Sequence, residues 1–135
     1  MTPGQYAEAL RACRGWEAEA VSHAASHEEV RRVGARSGIY LAVDQYGALD
    51  YIGSAARAAD GGLASRILHH SSPRRRRWAA FRLILLRAET PTWIVRGLEG
   101  DLIERLRPPG NRQRHTAVWV PRYEEYARHP EAWAG

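Results

Sequence analysis

Three sets of side chains stand where the apolar pattern of the chain leaves a chemical question. Leu63, Arg66, Ile67 and His70 are spaced i, i+3, i+4 and i+7. A helix over 63–70 would therefore place a guanidinium and an imidazole beside the two residues that face the core. A charged group at a core edge needs a partner or a task; an Arg snorkelling past that edge to water is the plainer account. Glu99 falls inside the stripe Val95, Leu102, Ile103 and Leu106, four residues after Val95 and three before Leu102. A carboxylate is expensive to bury there, so it should meet a metal ion or a structural ion-pair partner, for which Arg66 is a candidate. Tyr40 and Tyr51, in Gly38-Ile39-Tyr40 and Tyr51-Ile52-Gly53, form the third set. Their phenols can meet on one sheet face if the two segments pair, although aromatics are also common in strands for packing alone.

The elements that would hold these groups are legible in outline. Residues 39–43 and 49–52 read as two strands joined by the turn residues Asp44-Gln45-Tyr46-Gly47, a β-hairpin. A small, flexible stretch over 54–62 carries Arg57 and ends in Asp60-Gly61-Gly62, before the helix over 63–70. A strand follows over 81–86, then a helix from Thr90-Pro91 to about Leu106, stopped by Pro108-Pro109-Gly110. Residues 116–120 read as an edge strand ended by Pro121, and 123–127 as a last helical turn.

Residues 1–36 read as an accessory helical segment. Thr2-Pro3 and Ser26 with Glu29 supply helix starts, and Gly34 a stop. His23 and His27 at i, i+4 could share a metal on one helix face, but no third ligand accompanies them. The divisions expected are thus 1–36, a main α/β domain over 37–115, and a C-terminal extension over 116–135 packed on the same domain.

The chain of 135 residues is long enough for one domain with a modest core, and 44% apolar content with five Trp argues for a folded protein. No apolar run approaches the ~18 residues of a membrane span, and the N-terminal stretch shows no basic-then-apolar leader pattern. The lone Cys13 excludes an internal disulfide and a multi-cysteine zinc site, so the expected setting is cytoplasmic. Net charge is +5, and all twenty basic residues are Arg. That balance suits a nucleic-acid partner, since the planar guanidinium pairs with phosphate. Arg74-Arg75-Arg76-Arg77 ahead of Trp78 is either a solvated surface or a phosphate-binding patch, and Trp78 is either a ring for stacking on a base or a core or edge residue.

Taken together, Gly38-Ile39-Tyr40, Tyr51-Ile52-Gly53, Arg66, His70, Leu98-Glu99, Leu102-Ile103, Arg107-Pro108 and Asn111 resemble the signature of the GIY-YIG nucleases over residues 38–111. The twelve-residue step from Glu99 to Asn111 is similar to that of the N-terminal nuclease domain of UvrC. The step from Arg66 to His70 is similar to GIY-YIG restriction endonucleases. The chain departs from the pattern where the family often has a Lys after the second tripeptide: only Arg57 stands there, which makes proton handling at that position doubtful. The Asp60-Gly61-Gly62 insertion also lengthens the approach to the Arg66 helix.

The resemblance implies an α/β (α+β) domain with a three-stranded antiparallel sheet flanked by helices. It implies a divalent-metal-dependent endonuclease acting on phosphodiester bonds, with DNA as substrate and the protein as monomer or homodimer. The residues carried over as catalytic are Tyr40, Tyr51, Arg66, His70, Glu99 and Asn111. Glu99 would hold one Mg²⁺ or Mn²⁺, Arg66 the scissile phosphate, and Tyr40 would activate water with His70 in support. Tyr51 would bond phosphate or water and could exchange roles with Tyr40; Asn111 would hold local geometry. Arg57, Arg74, Arg75, Arg76, Arg77 and Trp78 would bind nucleic acid. The alternatives are a nucleic-acid-binding module of the same fold that does not cleave, and a purely structural or protein-binding α/β domain.

Overall fold

The structure, a computed structural model, describes residues 1–69, 77–111 and 121–128. His70, Arg74, Arg75, Arg76 and the strand expected over 116–120 lie outside the described residues.

The two glycine-tyrosine segments form the hairpin expected of them: β2 (Gly38–Asp44) pairs antiparallel with β3 (Leu49–Ala55). Its turn is held by Asp44, whose Oδ1 accepts from the Tyr46 and Ala48 amides at 2.9 and 3.0 Å, while Gly47 supplies a φ of +80°. β2 also pairs antiparallel with β4 (Trp78–Leu86), which begins three residues before the strand expected there. Flanked on both sides, β2 buries every residue from Gly38 to Val43, and its alternation feeds two cores. Ile39 and Leu41 join a cluster with Ile52, Ile84, α1 (Pro3–Ala12) and α5 (Thr92–Leu106). Tyr40 and Ala42 join one with Phe81, Leu83, α2 (His27–Val33) and α4 (Leu63–Leu68). Helices thus cover both faces of one antiparallel sheet.

The sheet has four strands, in the order β1-β4-β2-β3, rather than three. The added strand, β1 (Glu17–Ala20), lies in the segment expected to be helical and accessory. Glu17 pairs with Leu86, and Ala20 with Ile84. Nothing in Glu-Ala-Glu-Ala favours a strand by propensity, and three of its four residues are exposed. The pairing arises because the longer β4 presents an open edge, and a short charged strand covers it without inviting further pairing.

Other differences are local. A short helix α3 (Arg57–Asp60) occupies the stretch expected to be flexible, and Gly61 ends it in the left-handed region. Thr90 does not cap α5: its hydroxyl donates to the Arg87 carbonyl at 2.7 Å, and Pro91 holds the N-cap position. α1 and α2 begin with the expected caps, each a complete capping box, Thr2 with Gln5 and Ser26 with Glu29. α6 (Pro121–Arg128) packs Tyr123 on Gly97 of α5, where a Cβ would stand 2.0 Å from the Tyr123 ring. Among the described residues no helix is long and apolar enough to cross a membrane.

Candidate active site at the outer strand

β3 is the outer strand of the sheet, and the chemistry-bearing residues gather along it. Tyr40 lies opposite Gly53, and Tyr51 opposite Ala42, so the two phenols share a face as diagonal neighbours. Their rings stack with centroids 6.1 Å apart and planes inclined by 28°. A Cβ on Gly53 would stand 2.2 Å from Tyr40 Cζ and 2.3 Å from its hydroxyl oxygen. Only glycine therefore leaves room for the Tyr40 ring and its phenol oxygen over β3. Gly38 has an equivalent task for α4: a Cβ there would meet Leu63 Cδ1 at 2.4 Å and the Ile84 carbonyl oxygen at 2.7 Å.

Trp78 belongs to the same aromatic group. It is 3% exposed, its ring centroid is 5.1 Å from that of Tyr51, and its indole N–H donates to Asp50 Oδ2 at 2.9 Å. The expected role as a surface ring for stacking on a base is corrected accordingly: pairing of Trp78 with Asp44 turns the side chain into the core. Arg57 and Arg77 are exposed, as a phosphate contact requires.

Glu99 approaches the same strand from α5, on the opposite face. The residue is 1% exposed, and the Ser54 hydroxyl donates to Glu99 Oε1. Arg96, one turn earlier on α5, donates to Ser54 Oγ at 2.9 Å and to Asp60 Oδ2 at 2.5 Å. Burial alone would push the Asp60 carboxyl up. The Ala56 N–H, at 2.8 Å, and the Arg96 guanidinium more than offset this, with a smaller contribution from Arg66, and hold the carboxyl below the usual 3.8. Arg66 is half-buried at the edge of the stripe whose Leu63 and Ile67 are fully buried, as its spacing predicts. A chain of polar groups thus runs Glu99, Ser54, Arg96, Asp60, with Arg66 in electrostatic reach of its end.

Arg96 and Ser54 are not singled out by the sequence, and Asp60 stands out there only as part of the insertion before the Arg66 helix. The one available signal was Arg96 three residues before Glu99, on the same turn of helix.

Asn111 is buried, in a 3₁₀ turn over Pro109–Asn111. Its Oδ1 accepts from the Ile52 amide at 2.7 Å and its Nδ2 donates to the Ile52 carbonyl at 2.8 Å. The side chain imitates a neighbouring strand residue and satisfies the outward-pointing backbone groups of β3. Asn111→Ala should destabilise the fold by about 2–4 kcal/mol, because two buried backbone groups lose their partner. Urea unfolding would measure it; a cost under about 0.5 kcal/mol would mean that water replaces the amide without penalty.

The histidines of the N-terminal segment diverge: His23 pairs with Glu29 at 2.6 Å, and His27 Nε2 bonds the Trp78 carbonyl at 3.1 Å. Among the described residues no three metal-ligating side chains cluster. Glu99, the metal ligand expected from the sequence, has hard carboxylate oxygens of the kind Mg²⁺ or Mn²⁺ takes; the carboxylate is buried and bonded to the Ser54 hydroxyl.

Compared with protein-family models, curated proteins and solved structures, the chain matches none of them.

Proposed function

We propose that this chain is a divalent-metal-dependent endonuclease of the GIY-YIG type, hydrolysing phosphodiester bonds in nucleic acid, DNA foremost. The observation that carries the reading is a juxtaposition on β3. The Tyr40 phenol lies over Gly53, and the Glu99 carboxylate is bonded at the next residue, Ser54. The phenol that would accept a proton and the carboxylate that would bind a cation therefore lie against neighbouring residues of one edge strand, from the two faces of the sheet. The four-stranded antiparallel sheet is compatible with this reading, in which β3, β2 and β4 would be the three-stranded unit that the resemblance implies and β1 an addition to it.

In this reading Arg66 binds the scissile phosphate and its developing charge, since a guanidinium matches two phosphate oxygens. Tyr40 takes the proton of the attacking water. A free phenol titrates near ~10, so the cationic surroundings, Arg66 foremost, must favour the phenolate. Tyr51, stacked beside it, orients phosphate or water through its hydroxyl. Glu99 would hold one Mg²⁺ or Mn²⁺, which when bound stabilises the leaving oxygen as a Lewis acid. Arg57 and Arg77 add phosphate contacts that carry no sequence information.

A second reading, a nucleic-acid-binding domain of this fold that does not cleave, is favoured by burial: Tyr40 and Glu99 are each 1% exposed. A nicking and linearisation assay separates the two. Supercoiled plasmid and single-stranded DNA are incubated with Mg²⁺ or Mn²⁺ and either wild type or Tyr40→Phe. The nuclease reading expects cleavage by wild type and a loss of about a hundredfold or more in the variant, with DNA affinity unchanged. Wild-type rates in Tyr40→Phe would remove the general base; binding without cleavage by both proteins would favour the second reading.

A further inference from the structure

The end of the sheet away from the hairpin turn carries a cleft that the Tyr40 and Glu99 groups do not use. It encloses about 80 Å³ and is lined by Arg36, Ser37, Arg57, Leu86 and Ala88. Three parts of the fold meet there: the residues leading into β2, the first residue of α3, and the end of β4. Ser37 fixes the floor. It is buried, its carbonyl accepts from the Leu86 amide at 2.9 Å, and its Oγ accepts from the Arg57 amide at 2.8 Å.

The two guanidinium groups are differently engaged. Arg36 reaches Glu19 of β1 at 3.5 Å, a loose pair between exposed side chains that is worth little in water. Arg57 is exposed and makes no ion pair among the described residues. Two arginines that line a cleft of this size, one without an ion pair among the described residues and one only loosely paired, suit a single tetrahedral anion. Carboxylates are planar and use one fork; a phosphate offers oxygens to both. The cleft also lies close to the polar chain described above in sequence and in space, because α3 begins at Arg57 and ends at Asp60, which Arg96 holds.

We propose that the cleft between Arg36 and Arg57 is a phosphate subsite, which takes a non-scissile phosphodiester of the nucleic-acid strand. This rests on the nucleic-acid reading above and extends it to a second phosphate. Arg36 enters as a substrate-binding residue, and Glu19 as its competitor: the carboxylate occupies Arg36 when no phosphate is present and is displaced or shared when one arrives. The strand would then cross the end of the sheet, passing from the cleft to the outer edge of β3.

The test measures binding in EDTA, so that cleavage does not enter. Fluorescence anisotropy of a labelled single-stranded oligonucleotide is followed across a salt series for wild type, Arg36→Gln/Arg57→Gln and Glu19→Gln. Inorganic phosphate is titrated in parallel by amide chemical shift at residues 36–38 and 56–58. The proposal expects the double variant to lose roughly tenfold or more in oligonucleotide affinity and its salt slope to fall by about one. It expects Glu19→Gln to bind several-fold more tightly, an opposite sign that a folding defect would not produce. Equal affinity in all three proteins would overturn the subsite while leaving the nuclease reading standing. If wild type binds inorganic phosphate at these amides but no oligonucleotide, the cleft is a free-phosphate site and the nucleic-acid assignment fails. Binding of neither overturns both.

Discussion

Glu99→Gln is expected to abolish metal-dependent cleavage, with a loss on the order of a hundredfold to a thousandfold, while the protein remains folded. The amide is nearly the same shape as the carboxylate and can still accept the Ser54 hydroxyl. What it loses is the charge that would hold a divalent ion. Glu99→Ala is the less informative variant. It leaves the buried Ser54 hydroxyl without its acceptor and a cavity on the core stripe, which together cost about 2–4 kcal/mol. Loss of activity in the alanine variant would then mix unfolding with chemistry. The decisive measurement is plasmid nicking by Glu99→Gln across a Mg²⁺ titration, beside its urea-unfolding midpoint. Cleavage at the wild-type rate with the same metal dependence would make Glu99 a structural carboxylate and remove it from the active site.

Gly53→Ala should be among the most damaging single-methyl changes in the molecule. The added Cβ would stand within 2.2–2.5 Å of three atoms of the Tyr40 ring, namely Cζ, the hydroxyl oxygen and Cε1. The ring cannot retreat freely, because Tyr51, Trp78 and Phe81 pack around it. Overpacking of this kind costs about 1–3 kcal/mol where neighbours can shift, and the upper end applies here. A fall in melting temperature of about 10 °C would follow for a chain of this size. A double-mutant cycle identifies the cause. Leucine at position 40 lacks the three atoms in question, so Gly53→Ala in a Tyr40→Leu background should cost under about 1 kcal/mol. Additive costs would show that the strand backbone, not the phenol ring, requires glycine at 53.

Particular residues mark how far the sequence could be read. The hairpin, β4 and α5 were legible because each is long enough to show its own period, and its ends carry proline, glycine or turn residues that act locally. Arg66 and Glu99 stood out as charges on apolar stripes, and both are found at the edge or inside of the core. Asn111 was expected to hold local geometry, but the residue it pairs with, Ile52, lies 59 residues away in sequence. The reading of Trp78 followed its Arg-rich neighbours in sequence, whereas its position is set by strand pairing, which turns it toward Tyr51.

By itself the sequence determined local matters: the hairpin, β4, α4 and α5, the caps of α1 and α2, and which polar residues must be explained. Tertiary structure alone decided the rest. β1 exists because β4 has a free edge to satisfy, not because Glu-Ala-Glu-Ala prefers to be extended. Glu99 is held by Ser54, and Asp60 by Arg96, across separations of 45 and 36 residues. Local propensity and period report only on neighbours within a turn or a strand, while backbone satisfaction and charge neutralisation are completed by whichever groups the packed sheet brings within reach.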